Sequence, residues 1–511
     1  MPGTALVASQ AYRILAGVCY TRVRTDPEAR SDVGDAIVER LSEIRPAFED
    51  AGQAHVFAYW DQLDSAGQER LLGQAARLAP RLTELSEAWR AATQGGKAEP
   101  GAQGRLAPPE VVELPERGGD PARLDAARKR GEDMLAAGRV AAFVVAGGQG
   151  TRLGFDGPKG VYPIGPVSDR SLFALQAQKI HGVCRQSGHT MPWYVMTSPA
   201  THAGTLAHFE AHDFFGFARE DVWIFSQETV PAFDAQGRLM LERRDRIFEN
   251  PDGHGGSLKA LLDSGALDDM ARRGIDRIFY YQVDNPLSPI ADPVFIGLHD
   301  LEGAEMSCKV IRKTDPMEKV GVVAMIDGKA GIVEYTELGD DERHLRDADG
   351  ELVYWAGNIA IHCFDTEFVR RVAVDAGIWL PFHASPKQIP TLDADGEPRK
   401  PKEPNGDKLE RFVFDALPHA ERICVQEVRA DEEFAPVKNA EGKDSPQSTR
   451  RALLDRYHEW LEGTPLAAEL QGVVIEIDHA QMDNADEARA LVARDLEAAR
   501  DAIRVATGNE A

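Results

Sequence analysis

The segment from Arg139 to Ile180 reads RVAAFVVAGGQGTRLGFDGPKGVYPIGPVSDRSLFALQAQKI, and it decides the fold. Val140 to Ala146 is an unbroken apolar run of strand length. Such a run predicts a parallel strand covered on both faces, because a strand with one wet face alternates apolar and polar residues. Gly147, Gly148 and Gly150 follow where that strand ends. Three missing side chains leave bare main chain, whose N–H groups can face an anion and against which a bulky group can lie. Arg152 and Lys159 add two cations within nine residues of Gly150. Open α/β sheets bind ligands at the carboxyl ends of their strands, so the segment predicts a site for a nucleotide and its phosphates.

The glycine turn admits three readings. A P-loop is excluded, because no Gly-Lys-Ser/Thr follows at the needed spacing. The dinucleotide fingerprint is nearly met: Gly148 and Gly150 fit, Leu153 stands where the third glycine belongs, and Asp169 lies at a spacing suited to a ribose contact. A nicotinamide-dependent oxidoreductase therefore stays open on this stretch alone. The third reading is an ordinary strand–loop turn, and three glycines followed by Arg and Lys weigh against it.

Outward from this segment, strand and helix patterns alternate, which predicts a doubly wound α/β domain. Pro192–Ser198 (PWYVMTS), Asp221–Gln227 (DVWIFSQ) and Arg277–Asn285 (RIFYYQVDN) read as further strands. Residues 304–362 alternate in character, with polar turns at DGK and DADG. They predict antiparallel strands, a β-rich insertion beside the main sheet that walls one side of a cleft. Residues 1–105 read as largely helical, with Phe57, Tyr59 and Trp60 as a packing face. Residues 94–121 are rich in Gly and Pro and read as a linker or crossing segment. From about 448 the pattern is a helix, a short strand (GVVIEIDH) and a polar helix (ADEARALVARDLEAARDAIRVA). The expected organisation is a helical region 1–105, an α/β domain 106–447 and a short C-terminal region 448–511.

Composition narrows the partners. The chain of 511 residues carries 83 acidic against 58 basic side chains, a net charge of −25. That argues against non-specific binding to nucleic acid or anionic membranes. A phosphate site must then gather its cations locally, which draws attention to Arg152 and Lys159. The five cysteines are scattered without metal-ligand spacing, as in a protein of a reducing cytosol. No apolar run reaches membrane-spanning length, Arg13 interrupts the mildly apolar N-terminus, and no basic region precedes it. No signal peptide is expected, and a cytoplasmic location is.

Ala146–Gly154 (AGGQGTRLG) followed by Pro158–Gly160 (PKG) resembles the signature of the UDP-sugar pyrophosphorylases, most of all the eukaryotic-type UDP-N-acetylglucosamine pyrophosphorylases. Further segments resemble the family in colinear order over roughly residues 50–450. They include AGQAHVFAYWDQLDSAGQERLL, PDGHGG, VDN followed by ADPVFIG, VEYTE, WAGNIA, PNGDKLERFVFDAL and EFAPVKNAEGKDSP. The resemblance implies a Rossmann-like doubly wound mixed sheet of the nucleotide-diphospho-sugar transferase type. It implies a uridylyltransferase joining UTP to N-acetylglucosamine 1-phosphate with release of pyrophosphate, using Mg²⁺ or Mn²⁺, as a monomer. Eukaryotic members carry a longer β-rich C-terminal region, so its part in assembly is not carried over.

The chemistry of that reaction says which residues to seek. The attacking group is already a phosphate oxygen, so no Ser, Cys or His nucleophile is needed. The protein must align two anions and neutralise the leaving group. A divalent ion with few protein ligands does this simply. Asp284, at the end of an apolar strand, fits the metal role or a capping role in the turn that follows. The resemblance favours the metal. Arg152 and Lys159 are expected on the UTP phosphates and pyrophosphate, with Lys438 as a third cation bridging the transferred phosphate and Lys443 nearby. Gln227 matches the family glutamine that reads the uracil edge, and an amide can meet uracil's alternating carbonyl and N–H groups. Gly147 and Gly148 are expected to back the uridine, and Gly253 to let nucleotide and sugar approach. His254, Glu334, Tyr335 and Asn358 match sugar-side positions, with Phe412 and Phe414 lining the acetyl side or forming a plain buried face. Many eukaryotic members have asparagine where this chain has His254, whereas UDP-glucose pyrophosphorylases commonly have histidine. A UDP-glucose or broader UDP-sugar enzyme is thus the nearest alternative, and a non-catalytic nucleotide-sugar sensor is the alternative of another class.

Overall fold

The computed structural model describes residues 27–94, 104–374 and 380–506. The reading of the extreme N-terminus and part of the expected linker lie outside these residues. By its contacts the chain divides into two compact units. Their limits differ from the expected boundaries at 105 and 447.

The first unit gathers the described residues up to Ser86 with Leu241–Ile247 and Pro390–Lys400. Its helices include Pro27–Asp50 and Ser65–Leu78, the latter capped by the Asp64 side chain on Gly67 N–H. Phe57 and Trp60 of the expected packing face are buried and pack edge-on, with Phe48 against Phe57, whereas Tyr59 is half-buried with the Arg244 guanidinium over its ring. Gln74 grips the main chain of Ile247 through both ends of its amide, at 3.0 and 2.9 Å. Arg70 binds Asp245 beside it.

The second unit is built on one mixed sheet of ten described strands. They are β1 (Leu106–Ala107), β2 (Val140–Val145), β3 (Trp193–Thr197), β4 (Val222–Ser226), β5 (Arg277–Gln282), β6 (Met306–Arg312), β7 (Val322–Ile326), β8 (Lys329–Val333), β9 (Ala356–Asp365) and β10 (Ile423–Val428). All six residues of β2 are buried. Val140, Ala142 and Val144 belong to one hydrophobic core, and Ala141, Phe143 and Val145 to another. The continuous apolar run is thus a strand alternating between two covered faces. Each fully buried Val or Phe there contributes roughly 1.5–3 kcal/mol.

The strand order reverses at β2. From β2 the chain passes through helix Leu172–Ser187 to β3, then through helix His202–Ala211 to β4, all parallel and moving one way. It then crosses back to lay β5 parallel to β2 on the other side. The carboxyl ends of β2 and β5 therefore flank a topological switch point, where doubly wound sheets hold ligands.

Two expectations are corrected. The strands of residues 304–362 do not stand beside the main sheet; they continue it. β9 lies antiparallel to β5, with Cys363 opposite Phe279, and β6 pairs with both β9 and β10. The polar C-terminal helix is not continuous. It breaks at Asp495, whose extended backbone (φ −153°, ψ 95°) ends one helix while its carboxylate caps the next at Ala498 N–H. Ile503–Val505 then forms a strand paired with Ile475–Ile477. This C-terminal pair shares the core under β2, and its buried Glu476 accepts the N–H groups of Val167 and Ser168 at 3.0 and 2.9 Å. A residue near the end of the chain thereby fixes the loop that closes the glycine-rich segment.

Candidate active site

At the end of β2 the glycine turn folds partly upon itself. Gly150 N–H donates to Gly157 O at 2.9 Å, and Leu153 and Phe155 both donate to Gly150 O. Those N–H groups are thereby withdrawn from any anion. Gly147 and Gly148 donate to no described residue, and Gly148 is exposed. The turn is followed by a 3₁₀ turn, Thr151–Leu153, and the next α-helix begins only at Leu172. A dinucleotide fingerprint needs its glycines to open a helix. Here they do not, and Asp169 pairs with Arg450 on the surface at 3.1 Å. The oxidoreductase reading loses its support.

Gln227, just past β4, turns its amide toward this loop. Its Nε2 lies 2.8 Å from Asp252 Oδ1 and 2.9 Å from Gly253 O. Its Oε1 abuts Gly147 so closely that a Cβ there would lie 2.7 Å away. A side chain at 147 would have to displace that amide. Gly253 has a left-handed backbone (φ +86°), and a Cβ on it would lie 2.4 Å from Arg411 O. Its missing side chain thus serves the docking of the PDGHGG loop on the Arg411 main chain. Asp252 is almost fully buried, and burial raises its carboxyl to about 6, against the pull of Gln227 and of Arg411 3.6 Å away.

Beyond β5 lies a cleft of about 650 Å³. His254, Asp284, Asn358 and Lys438 line it, so four of the residues picked from the sequence meet there, with Lys443 as well. Lys159 joins them: its Nζ lies 2.9 Å from Asp284 Oδ2, both side chains being mostly buried at 15% and 19% exposure. Lys438 arrives through main-chain stitching. Val437 N–H donates to Asp284 O at 2.8 Å, while Asn285 donates to Glu433 O and accepts from Ala435 N–H. The turn after β5 therefore holds the segment that carries Lys438. Lys443 pairs with Glu318 at 3.4 Å.

His254 accepts Val413 N–H at Nδ1, 3.1 Å away, and stacks on Phe412. Burial, with His383 adding to it, pushes its pKa down to about 4. The ring is neutral at pH 7 and carries its proton on Nε2. His383 stacks on the same Phe412, but its Nε2 lies 2.8 Å from Asp415 Oδ2. Burial alone would lower its pKa; the carboxylate prevails and raises it. Phe412 and Phe414 are thus a platform for His254 at the start of a 3₁₀ turn, Val413–His419, rather than a strand or helix face.

The other candidates are placed less centrally. Glu334 follows β8 with its carboxyl against Gly321, next to cleft-lining Val320, and burial and Glu337 raise its pKa. The Tyr335 carbonyl accepts from Arg343. Neither residue lines the cleft itself. Arg152 is exposed and pairs with no described residue. Asp252, Asn285 and His383 were not picked out as site residues from the sequence. Asp252 was visible in PDGHGG and Asn285 in VDN, but the first meets the amide of Gln227 from another strand end and the second the main chain of Glu433 and Ala435.

Among the described residues no group of three or more His, Cys, Asp or Glu could hold a metal ion. Asp284, Asp315, Glu318 and Asp444 line the cleft; of these, Asp284 follows β5 beside Lys159, and one such carboxylate suits an ion carried mainly by phosphate oxygens and water. No helix among the described residues is long and apolar enough to cross a membrane. A second cavity, about 430 Å³, contains none of the candidates. Its lining carboxylates Asp292 and Glu433 are bridged by Lys309, and its Lys179 donates to the carbonyls of Pro286 and Ser288.

Comparison with known proteins agrees with this geometry. The family described as UTP--glucose-1-phosphate uridylyltransferase matches residues 113–458. UDP-N-acetylhexosamine pyrophosphorylase-like protein 1 of Homo sapiens is 39% identical over 82% of this chain and 85% of its own length. UDP-N-acetylglucosamine pyrophosphorylase of Saccharomyces cerevisiae is 35% identical over 86% of this chain and 94% of its own. Among solved structures, the uridine diphosphate N-acetylglucosamine pyrophosphorylase of Trypanosoma brucei, in complex with an inhibitor, superposes with a TM-score of 0.75. It is 28% identical and covers 94% of this chain and 97% of its own. From the glycine turn of β2 to the Lys438 segment, this chain belongs to the UTP--glucose-1-phosphate uridylyltransferase family.

Proposed function

We propose that the chain is a UDP-N-acetylglucosamine pyrophosphorylase, forming UDP-N-acetylglucosamine and pyrophosphate from UTP and N-acetylglucosamine 1-phosphate. One observation carries the reading: in a chain with relatives so named, Lys159, Asp284 and Lys438 are gathered where β2 and β5 end. A phosphate oxygen of the sugar phosphate attacks the UTP α-phosphorus. The bond from that phosphorus to the bridging oxygen of the β-phosphate breaks, and pyrophosphate leaves in line.

The residues divide this work. Gly147 and Gly148 present main chain to the uridine, and Gln227 meets the base edge. Lys159 and Arg152 hold the phosphates of UTP, and the charge on pyrophosphate develops against them. Lys438 sits where the transferred phosphate joins the sugar phosphate, so its attraction is strongest once both substrates are bound. Asp284 would hold Mg²⁺ or Mn²⁺, which when bound supplies positive charge to the phosphates. On binding of UTP with its metal ion, the Lys159 ammonium would turn to a phosphate and the Asp284 carboxylate to the cation, exchanging the pair they make with each other. His254 offers an Nε2–H donor toward the sugar 1-phosphate, and Asn358, with Glu334 and Tyr335 behind the wall, forms the sugar side. The four described cysteines are unbonded, which fits a reducing compartment, and we take the enzyme to act in the cytoplasm as a monomer.

One observation keeps a second sugar in view: His254, a neutral donor on the cleft, is the residue the notable UDP-glucose resemblance rests on. Pyrophosphate release with UTP and Mg²⁺, measured over N-acetylglucosamine, N-acetylgalactosamine and glucose 1-phosphates, tests the reading. N-acetylglucosamine 1-phosphate is expected to give the highest kcat/KM. A preference for glucose 1-phosphate would move the assignment to that sugar. Binding without release for every pair would leave a sensor.

A further inference from the structure

Gln227 is held by protein groups at one end of its amide. One atom of its amide lies within hydrogen-bond distance of both Asp252 Oδ1 (2.8 Å) and Gly253 O (2.9 Å). A carboxylate and a carbonyl are both acceptors, so that atom must be the NH₂, and both its protons are spent. The other atom, Oε1, faces Gly147 and receives a proton from no described residue. Turning the amide over would set three oxygens together in a site where Gln227 is 5% and Asp252 2% exposed. Asp252 has little freedom to yield. Its carboxylate fills the space a Cβ of Gly256 would need, its carbonyl accepts Arg411 N–H at 2.7 Å, and the Arg411 guanidinium lies beside it.

We propose that Asp252 is a positioning residue that sets nucleobase choice, by holding Gln227 so that only its carbonyl oxygen faces the base. The inference rests on the uridine-binding reading above and deepens it. An acceptor alone selects a pyrimidine that presents an N–H at that edge. Uracil does so at N3. Cytosine has a bare lone pair at N3, and two acceptors would meet. A glutamine free to flip could serve either base; one pinned by a buried carboxylate cannot. Discrimination therefore resides in Asp252 as much as in Gln227, although Asp252 touches no base.

Calorimetric titration with UMP and CMP tests this without requiring turnover, on the wild-type chain and on Asp252→Asn. An asparagine offers Gln227 a donor as well as an acceptor, which removes one of the two acceptors opposing a flipped amide and leaves only the Gly253 carbonyl against it. Wild type is expected to favour UMP strongly. In the variant the UMP-to-CMP ratio is expected to fall by about tenfold or more, partly through a gain in CMP affinity. A merely structural role would weaken both ligands together, and an unchanged ratio would overturn the proposal alone. Equal affinity for UMP and CMP in wild type, or no affinity for either, would overturn the uridine reading and this inference with it. Should Asp252→Asn fail to fold, the wild-type protein labelled with ¹⁵N-glutamine gives the same answer. Both Gln227 amide protons should stay protected from exchange and keep their shifts when UMP binds. A large shift of one of them would mean that it donates to the base, contrary to the proposal.

Discussion

Past the ends of β4 and β2, Gln227, Asp252 and Gly253 satisfy one another with short hydrogen bonds. Past the end of β5, Lys159 and Asp284 hold each other with a pair that a charged ligand can replace. The first arrangement is a fixed template, the second a set of exchangeable charges. A base is recognised by hydrogen-bond pattern, and a pattern is read best by groups that cannot rotate. Phosphates change charge distribution during transfer, and the groups that follow them must be able to change partners.

The largest effect should come from breaking the exchangeable end. Asp284→Ala is expected to lower kcat by about 10²–10³-fold, a loss typical of one preorganised charge-stabilising group. Lys438→Ala should follow closely. Lys438 is exposed and its ammonium lies over Phe434 without an ion pair among the described residues, so its variant should keep its melting temperature. Steady-state kinetics beside a thermal melt separate the two cases. An equal fall in stability and turnover for Lys438→Ala would make it a structural residue.

At the fixed end the expected loss is in stability. Gly253→Ala must take a left-handed φ of +86° and push a methyl toward Arg411 O. A destabilisation of about 2–4 kcal/mol is expected by chemical denaturation. A change below about 1 kcal/mol would mean the loop relaxes readily, and that the fixed template is softer than its geometry implies.

These positions show how far the sequence could be read. The apolar run of β2, the glycines after it and Asp284 at the end of β5 are local signals, each carried by a few adjacent residues, and they located the switch point. The place of the 304–362 strands was not legible, because the register of Cys363 against Phe279 is set by pairing between distant segments. Nor was the break at Asp495, where one extended residue divides a sequence with helical periodicity throughout. Gly253 was read as room for a ligand. What it makes room for is the Arg411 main chain, and no local pattern reports a close approach between segments so far apart. Asn285 and Asp252 escaped notice for the same reason: the first acts on the main chain of Glu433 and Ala435, the second on a glutamine of another strand end.

The smallest expected effect compares two histidines on one platform. His254 and His383 both stack on Phe412, yet burial drives the first down to about 4 while Asp415 raises the second. The unfolded state binds a proton to His254 near pH 6.5 and the native state does not. Its contribution therefore holds above that pH and is lost as pH falls from about 6.5 toward 4. His383 runs the other way: its contribution is full below about 6.5 and fades as pH rises through its raised native value. Proton NMR of the ring Cε1–H groups should show His383 titrating above pH 6.5 and His254 unchanged from pH 8 to 5. In Asp415→Asn only His383 should move downward. Titration of His254 near 6.5 would mean that its ring is solvated and not held as a neutral donor.

The central claim is that these two ends serve one transfer reaction. ³¹P NMR of the purified chain with UTP, N-acetylglucosamine 1-phosphate and Mg²⁺ tests it directly. The account predicts that the triphosphate and sugar-phosphate signals decline together, while those of UDP-N-acetylglucosamine and pyrophosphate rise in equal amounts. Unchanged spectra from a protein that binds UTP, or release of inorganic phosphate without a UDP-sugar, would contradict it.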